Sequence, residues 1–153
     1  MRGGTSETAS PLFFEDVEVG SSLPGLTRCP STQQLVMFGT ATGDFYPLHY
    51  DKDAALRAGL PGVIVQGRLK ASFLAQMLRR WIGAGGAIRK MSVQHRGMDL
   101  PGNALTCGGI VTSKYAQGAT FLVECDIWVE NAQGERTVKG TATVLLPSSG
   151  ASR

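Results

Sequence analysis

The hydrophobic period of this chain changes once along its length. From Arg68 to Ile82 apolar residues recur at helical spacing: Leu69, Phe73, Met77 and Trp81 lie four apart, while Ala71, Leu74 and Leu78 fill a second face. Its charges sit towards the ends. The pattern predicts a helix that is apolar most of the way round and wrapped by other elements. Beyond Gly83 to Gly86 the period drops to two. Phe121, Val123, Cys125, Ile127 and Val129 alternate with Leu122, Glu124, Asp126, Trp128 and Glu130. Val138, Ala142, Val144 and Leu146 repeat the alternation, Leu105, Cys107, Gly109 and Val111 do so more weakly, and Ile88 to Met98 makes a fourth strand. Ala116–Gly118 and Asn131–Gly134 read as hairpin turns. One buried helix followed by successive antiparallel strands predicts a curved sheet rolled around that helix, an α+β arrangement.

Shorter elements precede the long helix. The segment Phe13 to Arg28 carries a turn at Val19-Gly20 and an extended piece near Leu26. Ser31 or Thr32 is placed to cap a helix running to about Ala41, with Leu35 and Phe38 on its buried side. Gly43 and Pro47 punctuate the stretch to Tyr50 and make it a loop. Asp51 and Asp53 then open a short helix, Lys52 to Ala58, whose positive N-terminal dipole their charges suit. Residues 1–11 and 148–153, rich in Ser, Gly and Thr, read as flexible tails around a single domain over residues 12–147.

Composition narrows the classes. A chain of 153 residues is about one domain and long enough to bury a core without staples. With 42% hydrophobic and 18% charged residues it is not a disordered chain. No apolar run reaches the roughly 18 residues of a membrane span, and Met1 to Pro11 lacks the apolar core of a signal peptide. The three cysteines form no Cys-x-x-Cys pair, which argues against a disulfide scaffold or zinc site and fits a reducing cytoplasm. His49 and His95 are the two histidines, too far apart for a His-rich metal site. No metal or cofactor is expected. The net charge of +3 is unevenly spread: Ala54 to Met98 has eight basic residues and no acid. A basic stretch suits an anionic partner, but no nucleic-acid motif accompanies it, so nucleic acid is set aside.

The densest group of chemically capable residues is Thr42-Gly43-Asp44-Phe45-Tyr46-Pro47-Leu48-His49-Tyr50-Asp51. Pro47 fixes its own φ and pushes Tyr46 to an extended conformation, which restricts where Asp44 and His49 point. A carboxylate and an imidazole converging on one water can position it, take a proton and deliver one. On composition alone both are also ordinary turn residues. The second group is Val63-Ile64-Val65-Gln66-Gly67, which runs into the long helix. First-turn amides have no partners within the helix and can hold an oxygen that gains negative charge. Gly67 lets a ligand approach the backbone closely. His95, in an alternating strand, reads as a packed or solvated side chain.

Asp44-x-Tyr46-Pro47-x-His49, a short helix, and then Val65-Gln66-Gly67 before a long apolar helix resemble the MaoC-like hydratase/dehydratase family, which includes the R-specific enoyl-CoA hydratases. Met98 to Leu105 and Gly140 to Pro147 resemble the family's inter-strand turn and its last strand. The resemblance implies a hot-dog fold, an antiparallel sheet wrapped around a long central helix. It implies reversible hydration of a trans-2-enoyl-CoA, or the equivalent acyl-carrier-protein thioester, to the (R)-3-hydroxyacyl product. Asp44 and His49 would hold the water and shuttle its proton, and the Gly67 N–H would stabilise the thioester oxyanion. Tyr46, Pro47 and Gln66 would support the site. Tyr46 stands where the family has Asn and Gln66 where it has His, changes that bear on pocket shape and substrate range. The family's members are usually dimers, so a homodimer or larger oligomer is expected, with no membrane partner. Given a CoA or phosphopantetheine carrier, Arg68, Arg89, Lys90 and Arg96 become candidates for its phosphates. The alternatives are a non-catalytic or partner-dependent subunit of a hetero-oligomeric hydratase, and a hot-dog thioesterase. Arg68 to Ile82 lacks the acid that many such thioesterases carry there.

Overall fold

A computed structural model describes residues 11–151. Most of the expected N-terminal tail, and residues 152 and 153, lie outside that range. The elements are β1 (Leu26–Arg28), α1 (Thr32–Thr42), α2 (Lys52–Arg57), α3 (Gly67–Ile82), β2 (Ala87–His95), β3 (Leu105–Gln117), β4 (Thr120–Asn131) and β5 (Arg136–Leu146), with short 3-10 turns at Phe14–Asp16, Pro47–His49 and Ser149–Ala151. The last turn falls within the expected C-terminal tail. There Ser148 is buried and its hydroxyl donates to Glu15 Oε1 at 2.5 Å.

The helix boundaries follow local chemistry. The Ser31 hydroxyl accepts the Gln34 N–H at 3.1 Å and starts α1. Gly43, at φ 69°, ends it in a left-handed turn that glycine adopts without strain. The Asp51 carboxylate accepts the Ala54 N–H at 3.0 Å and starts α2. Arg79 and Arg80 sit in the last turn of α3, where cations suit the helix dipole.

The five strands form one antiparallel sheet in the order β1-β3-β4-β5-β2. Strand β2 follows α3 directly yet lies at the far edge, beside β5 rather than β3. The chain leaves α3 next to the end of β5: a Cβ on Gly86 would come within 3.0 Å of Leu145 O, and Ala87 pairs with Leu145. The alternation was therefore legible, but the strand order depends on where α3 delivers the chain. The β3–β4 hairpin is also longer than the weak alternation near Leu105 implied, turning at Gly118.

Helix α3 lies against one face of this sheet. It buries two rows, Leu69, Phe73 and Met77 beside Lys70, Leu74, Leu78 and Ile82, against inward residues such as Val123, Ile127, Val138 and Val144. Truncating any one of the large residues to Ala costs about 2–5 kcal/mol in a packed core. The helix is not wrapped on all sides: Arg68, Ser72, Gln76, Arg79 and Arg80 remain exposed. A single sheet covers one side of a helix, so the outer face carries the polar residues.

Lys70 departs from the expectation of charges near the helix ends. It lies one turn in and points inward. Its Nζ is 2.8 Å from Asp99 Oδ2, with both side chains almost wholly buried. Nζ also donates to Gly97 O at 2.9 Å, and the Thr137 hydroxyl donates to the same Asp99 oxygen at 2.6 Å. A buried ion pair so bonded ties α3 to the 97–101 loop. Its removal in halves is costly because the surviving charge stays buried. Lys70→Met should lower unfolding stability by about 3–5 kcal/mol. The Lys70→Met/Asp99→Leu double variant should recover most of that loss, as measured by denaturant unfolding.

Candidate active site

The loop from Gly43 to Tyr50 takes its shape from three local devices. The left-handed turn at Gly43 aims the chain away from α1, and the Asp44 N–H returns to Gly39 O at 2.9 Å. The Tyr46 N–H then faces Asp44 Oδ1 at 3.5 Å. Pro47, with its φ already fixed, opens the 3-10 turn that carries His49. This turn was expected only as loop. The loop also needs a glycine beneath it, because a Cβ on Gly39 would meet Asp44 O at 2.7 Å.

His49 is half-buried and its ring has a fixed role for each nitrogen. Nδ1 lies 2.8 Å from Ile64 O. A carbonyl oxygen only accepts, so Nδ1 carries the proton and the Nε2 lone pair is left as the base. The Ile64 N–H returns to Leu48 O at 3.0 Å, and the next amide, Val65, donates to Asp99 O at 2.8 Å. The imidazole is thus strung to the Lys70–Asp99 pair through two backbone residues. Tyr46 meets the His49 ring edge-on, with centroids 5.6 Å apart, while remaining largely exposed.

Two adjoining cavities meet at this histidine. One, of about 300 Å³, is lined by Asp44, His49 and Gln66 among apolar groups including Leu35, Val36 and Phe45. The other, of about 330 Å³, runs past His49, Val63, Leu100 and Pro101 to Lys52. Both are lined by Val36, His49 and Tyr50. A mostly apolar cleft with a few converging polar groups suits a small-molecule site.

Gln66 forms part of the inner cavity's wall, whereas Gly67, the next residue, lines neither cavity. Gln66 is 1% exposed, and its Nε2 donates to Leu35 O at 2.7 Å. Gly67 begins α3, and its Cα faces the His95 ring so closely that a Cβ would meet Cε1 at 2.9 Å. Partial burial, with the Lys70 charge adding to it, holds His95 below the usual imidazole range. Read from sequence as a strand side chain, His95 is also the wall behind Gly67. Lys52, at the start of α2, and Leu100 and Pro101, in the 97–101 loop, line the outer cavity and carried no sequence signal as site residues.

The structure therefore brings Asp44, His49 and Gln66 to one cavity, with Tyr46 and Pro47 in the loop that shapes it. Arg68, Arg89, Lys90 and Arg96 are exposed, and none lines either cavity. Arg96 instead borders a polar depression with Gln94 and Lys139. Burial pushes the Cys107 and Cys125 thiols up to about 12, so they stay protonated and inert inside the sheet. Among the described residues no three His, Cys, Asp or Glu side chains group as metal ligands would, and no helix is long and apolar enough to cross a membrane.

Comparison with known proteins agrees with this architecture. The R-hydratase PhaJ1 from Pseudomonas aeruginosa, in its unliganded form, superposes with a TM-score of 0.82 over 90% of this chain and 87% of its own, at 21% identity. The (R)-hydratase from A. caviae involved in PHA biosynthesis gives 0.80 over 87% and 99%, at 25% identity. The ChsH1-ChsH2 complex from Mycobacterium tuberculosis gives 0.74 over 84% and 98%, at 22% identity. These likenesses establish the hot-dog fold. In sequence, the fatty acid synthase beta subunit TOXC of Cochliobolus carbonum is 31% identical over 107 residues, which are 68% of this chain but span only 5% of that protein. A family model described as a MaoC like domain matches residues 18–131. The match runs through α1, the Asp44–His49 loop, α3 and the first four strands, and on it the chain belongs to the MaoC-like domain family.

Proposed function

We propose that this chain is a hydratase/dehydratase of acyl thioesters, interconverting a trans-2-enoyl-CoA, or its carrier-protein equivalent, and the (R)-3-hydroxyacyl product. The observation that carries the reading is His49. Its Nδ1–H is spent on Ile64 O, which leaves Nε2 as a base in a cavity shared with the Asp44 carboxylate.

In this reading the pair holds a water over C3 of the bound thioester. One O–H bond of the water breaks as the pair takes its proton, and the oxygen bonds to C3. The C2–C3 π electrons move into the thioester, whose oxygen takes the charge. The Gly67 N–H, among the unpaired amides of the first turn of α3, stabilises that oxygen. The pair then returns a proton to C2. Dehydration is the same path reversed, and neither direction needs a redox partner or a metal. The exposed free edge of β2, and the exposed Met37, Phe45 and Tyr50 near the cavities, support self-association of the chain.

Asp44→Asn and His49→Ala should each cost roughly 10²- to 10⁴-fold in enoyl-CoA hydration, the usual weight of a positioned acid or base. Undiminished turnover by both variants, with chiral analysis of the product, would remove them from the mechanism. The Gly39→Ala variant tests placement instead of chemistry. Its new methyl meets the backbone carbonyl of Asp44, and the resulting shift of the Asp44 carboxylate should lower kcat/KM roughly 10- to 100-fold in a chain that still folds. For the carrier's phosphates, Arg68, Arg89, Lys90 and Arg96 remain the proposed contacts. Removing one that serves should raise KM and leave kcat unchanged, with the effect shrinking as salt rises in steady-state assays.

A further inference from the structure

Gln66 combines three properties that an ordinary helix-start residue does not need. It is 1% exposed, it lines the cavity that Asp44 and His49 share, and its Oε1 has no hydrogen-bond partner. Among the described residues it is the one buried side-chain polar atom left so. The orientation of the amide is fixed. Nε2 donates to Leu35 O at 2.7 Å, and reversing the amide would set two acceptors against each other. The side chain is therefore pinned by its donor end while its acceptor end is unpaired. A buried acceptor left unpaired destabilises the fold, so its retention points to a donor supplied with the ligand.

The donors that a thioester substrate can bring are few. The hydrocarbon chain and the thioester group have none. The reacting oxygen has one: an O–H of the water that adds at C3, or of the 3-hydroxyl in the reverse direction. The carrier arm has amide N–H groups further off. The cavity at Gln66 is the one lined by Asp44 and His49, whereas the groove towards Lys52 and Pro101 leads away from it.

Resting on the hydratase reading above, we infer that Gln66 is a binding contact for the reacting oxygen: its Oε1 accepts the O–H of the water, and of the 3-hydroxyl, that Asp44 and His49 act upon. A neutral amide suits the task. It accepts a hydrogen bond at every working pH, does not compete for the proton, and adds no charge to an apolar cavity. It also selects for an oxygen at C3, because a ligand that puts carbon in that place displaces the water and leaves the acceptor buried and unpaired.

The test uses two inert thioether analogues, 3-hydroxybutyl-CoA and 3-methylbutyl-CoA, which lack the carbonyl needed for elimination and differ in that a methyl takes the place of the hydroxyl. Dissociation constants for the wild-type chain and for Gln66→Met would be measured by calorimetry. The wild type should bind the hydroxyl analogue about tenfold more tightly, the worth of one hydrogen bond. Gln66→Met should lose that preference and bind 3-methylbutyl-CoA at least as tightly as the wild type does, which shows the fold and the pocket intact. A preference that survives in Gln66→Met overturns the inference, as does its absence from the wild type. Equal weakening of both analogues would assign Oε1 to the carrier arm and also overturn it. Wild-type hydration of crotonyl-CoA, assayed alongside, separates the two readings. Turnover with an unchanged preference sinks the role of Gln66 alone, whereas no turnover and no binding sinks the hydratase reading with it.

Discussion

The site depends on an ion pair that never touches it. The Lys70 ammonium and the Asp99 carboxylate meet inside the layer between α3 and the sheet, 2.8 Å apart and out of water. Asp99 holds Val65 through its backbone carbonyl, and Ile64, one residue earlier, holds the His49 ring. The histidine is thus oriented by a relay of short bonds that ends on the core helix. Such a pair gains little net stability over an apolar replacement, because two charges had to be desolvated to form it. What it supplies is geometry. Apolar contact does not specify direction, whereas a carboxylate bonded by both an ammonium and a hydroxyl fixes where the 97–101 loop sits.

A second constraint is steric and acts where backbones come closest. Gly39 admits the Asp44 carbonyl, and Gly67 admits the His95 ring. Both positions lie against the proposed chemistry, one under the carboxylate loop and one at the helix amide. Their glycines are explained by close approach, not by unusual φ, since neither has a positive φ. A single methyl would disturb the wall of the cavity at Gly39 and the start of α3 at Gly67. Gln66 sits between them and bridges α1 to α3 through Leu35 O.

Local signals were legible in the sequence and long-range pairings were not. The i+4 stripe of α3, the Ser31 and Asp51 caps and the alternation of β4 and β5 each reside within one segment, so periodicity finds them. The Asp44–His49 loop was legible for the same reason, with Pro47 holding both groups in six residues. Lys70 and Asp99 lie 29 residues apart, and each alone resembles a surface charge. The place of β2 at the sheet edge was hidden too, since pairing with β5 depends on where α3 ends. His95 looked like one more strand side chain because its contact with Gly67 exists only after the sheet has curled over the helix.

The charge pattern of the chain takes on a different meaning in this light. Eight basic residues without an acid from Ala54 to Met98 suggested a surface made for an anion. One of the eight, Lys70, is not on the surface at all. Its partner Asp99 lies just past the end of the stretch, so the count separated a pair that the fold unites. Arg79 and Arg80 serve the C-terminal end of α3, and Arg79 also donates to Gly86 O. Of the eight, the rest are exposed cations outside the cavities, whereas Lys52, just before the stretch, lines the outer one. Exposed cations also attract an anion before contact, over a range that physiological salt screens to roughly 8 Å. Recognition inside the cavities falls instead to few polar atoms in apolar walls, where the low local dielectric makes each hydrogen bond count for more. Under the proposed function, attraction and selection would therefore fall largely to different parts of the molecule. A sequence shows the first as composition, but it shows the second only once the fold has brought Asp44, His49 and Gln66 to one wall.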